Sequence, residues 1–289
     1  METAHVKESL AIPAHAPGLA FLQCLPGYLH PRHRHDELEM NLVLRGSATY
    51  QVHDRIHAIE RGSLLWLLPE QEHHVIAKSD DYTVWIVYWR ADAIESAARA
   101  DPAFAAFRMG DSTSWHARRL SEPNIKQLAL PLDHAAEIPS SPLAAAALSY
   151  VLALAWSLGA NAENVPPRSS LHPSIERAAR LIAQHELLSL RELGQRCGLS
   201  PARLSSLFSR QMGVPLSEYR NLRRLDRFLA EHDPRSINLT ASALNAGFGS
   251  YSQFHRVFSA HMKMSPSAWV AREREQPMVL DRHARGRRV

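Results

Sequence analysis

Two stretches near the C-terminus repeat one pattern, and that repeat restricts the fold more than any other feature of the chain. In the first, LRELGQRCGLSPARLSSLFSRQM from Leu190 to Met212, residues Leu190, Leu193 and Cys197 recur at helical spacing. Gly198 stands where the chain must leave that helix, a position that favours a residue without Cβ. Leu199 returns to the core, and Ser200-Pro201 supplies an N-cap and a residue preset for a first helical turn. Leu204, Leu207 and Phe208 then form an inward face, leaving Ala202, Arg203, Ser205, Ser206, Ser209 and Arg210 outside. Gly194 falls where the two helices cross, so its missing side chain has a steric use. The second stretch, from Leu239 to His261, again has a short helix, a turn glycine (Gly247), an apolar plug (Phe248) and a serine cap (Ser250). Phe254, Val257 and Phe258 face inward; Tyr251, Ser252, Gln253, His255 and Arg256 face out. Pro215 to His232 reads as one long amphipathic helix between the two units. Two helix-turn-helix units held apart by one helix can place two recognition helices in successive major-groove segments, roughly 34 Å apart.

Charge follows the same division. The net formal charge is only +4, but from His172 onward there are 19 Lys/Arg against 10 Asp/Glu. The preceding residues are net acidic. A basic body under paired recognition helices is what phosphate binding requires, because each neutralised phosphate releases a counterion.

The segment from about Pro173 to Arg274, roughly a third of the chain, resembles the DNA-binding domain of the AraC/XylS family of bacterial transcription regulators. The motifs that carry the resemblance are GLSPARLSSLF (198–208), Gly213 with Tyr219, GFGSYSQFHRVF (247–258) and SPSAW (265–269). Three residues depart from it: Ser242 replaces a usual apolar residue, Met264 a usual glycine and Gly194 a usual alanine. The resemblance implies a sequence-specific regulator that binds double-stranded promoter DNA, works with RNA polymerase and forms a homodimer. By the family's positional logic the DNA-facing residues are Ala202, Arg203, Ser205 and Ser206 in the first unit, with Arg203 and Arg210 expected mainly on phosphates. In the second unit they are Tyr251, Ser252, Gln253 and Arg256. Arginine pairs bidentately with guanine and glutamine with adenine, so the second unit carries more of the expected base discrimination.

The N-terminal half has a β texture. Met40–Arg45, Ala48–His53, Ile56–Ile59, Leu64–Leu68, His74–Ala77 and Tyr82–Trp89 are short strand-like runs between turn residues, as in a sandwich or barrel. Within them Gly27, His33, His35, Glu39 and Gly46 have the spacing G-x5-H-x-H-x3-E-x6-G. This resembles the first motif of the cupin jelly roll, which binds a metal through three histidines and a carboxylate. The second motif is partial: Pro69 and His74 are present, Gln71 and Lys78 replace a glycine and an asparagine, and His73 competes with His74 for the fourth place. Such a donor set (His33, His35, Glu39, His74) suits a divalent Zn, Mn, Fe or Ni ion. The same residues, with Trp66 and Trp85, are the expected site for a small-molecule effector, a sugar among the candidates. The alternatives are a barrel that only dimerises and a metal-dependent cupin enzyme fused to a DNA-binding module.

After Arg90 the texture turns helical. Ala93 to Phe107 is expected to split at Pro102, Leu120 to Glu137 to be broken by Pro123 and Pro131, and Pro142 to Leu158 to form an uncharged buried helix. That helix is at the lower limit for spanning a bilayer and lacks basic anchors, so it is expected to serve the barrel's side and a dimer contact. The predicted organisation is α+β: a cupin-like β-barrel or jelly roll with flanking helices at residues 1–160, an exposed linker at 161–171, an all-α double helix-turn-helix domain at 172–275, and a basic tail at 276–289. Two cysteines, Cys24 and Cys197, cannot make a disulfide framework, and no signal peptide is expected, so the expected location is the cytoplasm.

Overall fold

The computed structural model describes residues 9–24, 33–107, 117–137, 141–184, 188–232 and 238–275. Gly27 of the histidine motif and the basic tail at 276–289 lie outside the described residues.

Among the described residues, seven strands follow in sequence: β1 (Gly18–Gln23), β2 (Leu38–Arg45), β3 (Ser47–Val52), β4 (Arg55–Glu60), β5 (Ser63–Leu67), β6 (His73–Lys78) and β7 (Thr83–Trp89). The six runs read from the sequence correspond to β2 to β7; β1 is not among them. Three short strands come later, β8 (Ala117–Arg119), β9 (Glu163–Asn164) and β10 (Ser169–Ser170). They complete two antiparallel sheets with the orders β1-β7-β2-β5-β8-β9 and β10-β4-β3-β6.

Alternation along each strand divides the side chains between two cores. On β2, Leu38, Met40 and Leu42 face a helical layer, and on β7 so do Trp85, Val87 and Trp89. Val43, Val84, Ile86 and Tyr88 pack between the sheets with Tyr50, Val52, Leu65 and Leu67. The helical layer is α1 (Ala91–Ala100), a 3-10 helix (Pro102–Phe107), α2 (Glu122–Glu137) and α3 (Pro142–Ala160). The chain does change helix type at Pro102, but α2 runs unbroken, contrary to expectation. Pro123 lies in its first turn, where a missing N–H costs nothing. At Pro131 the buried residues Leu128, Leu132 and Ala135 hold the helix against the sheet. Helix α3 is long and apolar enough to cross a membrane by length and composition. Here its Ala147, Leu148, Val151, Leu152 and Ala155 are in the core, and Trp89 Nε1 donates to the Leu148 carbonyl at 3.0 Å.

The linker is not loose. Strand β9 pairs with β8 and β10 with β4, and the Leu171 amide donates to the Asp54 carbonyl at 2.8 Å. Its polar composition suggests exposure, which most of it has, but its backbone groups are spent on the two sheet edges.

Among the described residues, seven helices form the C-terminal domain: α4 (Pro173–Ala183), α5 (Leu190–Arg196), α6 (Pro201–Met212), α7 (Leu216–Glu231), α8 (Leu239–Asn245), α9 (Tyr251–Met262) and α10 (Pro266–Glu275). The two turn glycines, Gly198 and Gly247, have φ of +69° and +93°. Serines 189, 200 and 250 cap α5, α6 and α9, with a full capping box at Ser189 and Glu192. One correction concerns the residue closing α9. The left-handed position falls on Lys263, φ +56°, rather than on Met264; it corresponds to Gly213, φ +76°, at the end of α6. The second unit has its own core of Leu225, Phe228, Phe254, Phe258 and Trp269. The first unit shares its core with the N-terminal domain: Ile56 and Ile76, from β4 and β6, pack with Ile175, Ala178, Leu204, Phe208 and Tyr219.

Candidate functional site

The outward faces of α6 and α9 come from their apolar spacing. Leu204, Phe208 and Met212 bury one side of α6, which leaves Ala202, Arg203, Ser206 and Arg210 exposed and Ser205 half-buried. Phe254, Val257, Phe258 and Met262 do the same for α9, leaving Ser252, His255 and Arg256 exposed. None of Arg203, Arg210 and Arg256 is within ion-pair distance of a carboxylate among the described residues. No described carboxylate neutralises these guanidiniums, which leaves them available for a phosphate or base contact. Gln253 is differently placed. Its Nε2 donates to Asn221 Oδ1 on α7 at 3.1 Å and its Oε1 accepts from the Gly249 amide at 3.0 Å. It braces the start of α9 against α7, a role that its outward position in the sequence does not reveal. Tyr251 is half-buried, its ring 5.7 Å from that of Phe254.

The second feature is a buried cluster at one end of the sandwich. His33, His35, Glu39 and His73 bring one donor atom each to within 4.8 Å of one another. His33 and His73 exchange both backbone hydrogen bonds, at 3.1 and 3.0 Å, which locks their rings 4.3 Å apart. Glu39 Oε2 lies 2.9 Å from His35 Nε2 and 3.2 Å from His73 Nε2, and Glu39 Oε1 accepts from Asn41 Nδ2 at 2.8 Å. On the far side of each ring, Nδ1 of His35 and of His73 donates to the carbonyls of Glu37 and Gln71, at 3.0 and 2.8 Å. Those bonds turn both Nε2 atoms toward the carboxylate, the orientation a metal-ligating imidazole needs. Burial raises the Glu39 pKa, but the charge and hydrogen bonds of His73 and His35 outweigh it and hold the carboxyl well below its usual range. Burial lowers His35, yet Glu39 and Glu37 leave it raised overall. The donor chemistry therefore fits a divalent ion, which would take the place of protons on these rings.

The structure corrects two parts of the expected site. His73, not His74, completes the cluster, because the pleat sends successive residues to opposite faces. His74 instead meets the DNA-binding domain, with Tyr219 Oη 3.4 Å from its Nε2. Trp66 and Trp85 sit on the opposite face of their sheet from the Glu39 side chain, in the core under the helices, with Trp66 4.6 Å from Phe107. Asn41 was missed; its place two residues after Glu39 on one strand was the signal. Tyr88, whose ring stands perpendicular to His35 at 5.2 Å, lies beside the cluster.

Two family models match this layout: an AraC-like ligand binding domain over residues 16–153 and a helix-turn-helix domain over residues 193–272. The chain belongs to the AraC/XylS family. Among relatives, the AraC-family chain is 25% identical over 270 residues to the HTH-type transcriptional activator RhaR of Klebsiella pneumoniae, covering 91% of this chain and 95% of that one. It is 30% identical over 82 residues to the HTH-type transcriptional activator AarP of Providencia stuartii, covering 28% and 61%. Of solved structures, ToxT from Vibrio cholerae aligns over 88% of this chain and 97% of its own, with 13% identity and a TM-score of 0.35. The protein is an AraC-type transcription regulator with a DNA-binding domain and a ligand-binding domain.

Proposed function

We propose that this regulator activates transcription in the cytoplasm as a homodimer, with RNA polymerase as its partner. In this reading the sandwich reports a small-molecule effector to the two recognition helices. The observation that carries it is the core shared by Ile56 and Ile76 of the second sheet with the first helix-turn-helix unit. A ligand that shifts those strands must also shift the unit packed on them, which gives the differential contact that allostery needs. A divalent ion held by His33, His35, Glu39 and His73 would offer open coordination positions to oxygen-bearing ligands such as sugar hydroxyls or carboxylates. The dimer surface in this reading is the outer side of α2 and α3, where Leu130, Leu143 and Tyr150 are large exposed apolar residues.

Selection of genomic fragments on the full-length protein, followed by binding titrations with and without candidate sugars and Zn²⁺, tests the proposal. A shift in affinity on adding a ligand is the expected result; affinities unaltered by every ligand would leave only a constitutive DNA binder. Sedimentation at micromolar concentration tests the dimer, with Tyr150→Lys expected to give monomers.

A further inference from the structure

We propose that the connecting helix α7 is itself a DNA-contacting element, with Arg220 and Arg224 seated on the phosphates that separate the two major-groove segments. When two recognition helices enter successive major-groove segments on one face of a duplex, a minor groove with its two phosphate rows lies between them. The part of the protein that faces those rows is whatever joins the two units, and here that is α7.

The helix divides its circumference by function. Tyr219 and Leu222 turn toward the sensor half, the first beside His74 and the second in a cleft with Lys78, Ser79 and Asp80. At about 100° per residue, Arg220 and Arg224 lie well over a quarter-turn away from that side and one helical turn from each other. Their hydrogen-bond partners lead toward both helix-turn-helix units. Arg220 Nη2 donates to the carbonyl of Leu188, two residues before the first helix of the first unit. Arg224 Nη1 donates to Asn221 Oδ1 at 3.2 Å, and the same oxygen accepts from Gln253 in the first turn of α9. The two guanidiniums are thus oriented between the two units by neutral acceptors. Neither is within ion-pair distance of a carboxylate among the described residues, although acidic partners are available to Arg180 and Arg223. Burial lowers the pKa of both, and the charge of Arg220 lowers that of Arg224 further. Two half-buried, adjacent cations with no carboxylate partner among the described residues gain most from an anion placed across them, and a phosphate row is such an anion. Part of the affinity therefore comes from a site that reads no sequence and fixes the spacing between the two reading helices.

The test is the salt dependence of binding by the full-length protein to a random-sequence 30-base-pair duplex, measured by anisotropy from about 50 to 200 mM salt. Arg224→Gln and Arg220→Gln are each expected to flatten the log–log slope by about 0.9, so that each variant loses roughly threefold less affinity than the wild type over that range. Arg224→Lys, which keeps the charge, is expected to keep the slope. If Arg220→Gln unfolds for want of its bond to Leu188, the Arg224 pair decides. A wild-type slope in Arg224→Gln with unchanged melting temperature overturns the proposal. So does an equal flattening in Arg99→Gln, an exposed site on α1, because the effect would then be one of net charge. Wild-type protein that fails to bind the duplex at 50 mM salt would instead remove the DNA-binding reading on which the proposal rests.

Discussion

His73 and His74 are consecutive on β6 and serve opposite faces of one sheet. The ring of His73 completes the buried donor cluster with Glu39, and the ring of His74 lies against Tyr219 of the DNA-binding domain. Any displacement of His73 along or out of the strand is carried to His74 by a single peptide unit, with no loop between to absorb it. Tyr219 in turn packs on Phe208 of the first recognition helix, ring centroids 5.2 Å apart. Tyr219→Phe removes the hydroxyl and keeps the ring, so it is expected to cost no more than about 1 kcal/mol of stability. Amide exchange in β6 and α7 should nevertheless quicken. Exchange rates equal to wild type in both elements would show that the hydroxyl couples nothing.

Lys78, at the end of β6, gives the domain boundary a pH dependence. Burial pulls its ammonium down to about 8, against the opposing pull of Cys24 and Asp226. The unfolded chain holds that proton up to its ordinary value of 10.5, so between about 8 and 10.5 the unfolded state binds more protons than the folded one. Stability from this residue therefore rises as pH rises through that window, and the penalty is complete below it. Lys78→Met is expected to stabilise the protein by about 2–3 kcal/mol at pH 7. The gain should shrink toward zero by pH 10.5. Equal gains in melting temperature at both pH values would mean that packing, not charge, is responsible.

Glu39 holds together the cluster it anchors. It is buried and hydrogen-bonded to His35 and Asn41 at once, with His73 beside it. Glu39→Gln leaves the imidazoles without a counter-charge, and loss of one partner of a buried ionic network costs about 3–5 kcal/mol. The same substitution should abolish stoichiometric Zn²⁺ or Ni²⁺ uptake by protein purified without a histidine tag. Calorimetry on the variant checks this, and uptake at the wild-type level would exclude Glu39 as a ligand.

The parts of the molecule visible in the sequence are those where one local rule decides. Ser200-Pro201 and Ser250 mark helix starts because capping is a property of a few adjacent residues. His33, His35 and Glu39 share a site because they precede or lie on one strand, in register with its inward face. The choice between His73 and His74 was not visible, since both follow the same turn and a shift of one residue exchanges the faces. Trp66 and Trp85 read as pocket residues because strand alternation does not say which face meets the helices. Gln253 looked like a base reader because nothing local shows that Asn221, a distant residue in the sequence, lies within reach. The pairing of the linker with β4 and β8 was hidden for the same reason: it depends on strand edges contributed from elsewhere in the chain.

Gly194 is a departure from the family pattern that the structure explains. A Cβ built there would lie 2.7 Å from the backbone oxygen of Leu199, in the turn between α5 and α6. Alanine is the better helix former by up to about 1 kcal/mol. Backbone crowding of this kind typically costs about 1–3 kcal/mol, so the clash outweighs the propensity. Gly194→Ala should therefore lower the denaturant midpoint. A raised midpoint would mean that the turn opens at no cost.

Arg256 and Gln253 both stand in the first two turns of α9, yet they should fail differently when removed. Gln253→Ala breaks two hydrogen bonds, one to Gly249 and one to Asn221, so its loss should appear as about 1–2 kcal/mol of folding stability. Its base preference should change little, because its amide is already engaged. Arg256 is exposed and has no carboxylate partner among the described residues, so Arg256→Ala should leave the melting temperature unchanged. Its cost should appear on the cognate site, by about 1–3 kcal/mol, with a smaller loss on random DNA. Paired titrations on a selected operator and a scrambled duplex separate the two effects. An equal loss on both duplexes would reassign Arg256 to the phosphate backbone, and base discrimination in the second unit would then have to come from Ser252 and His255.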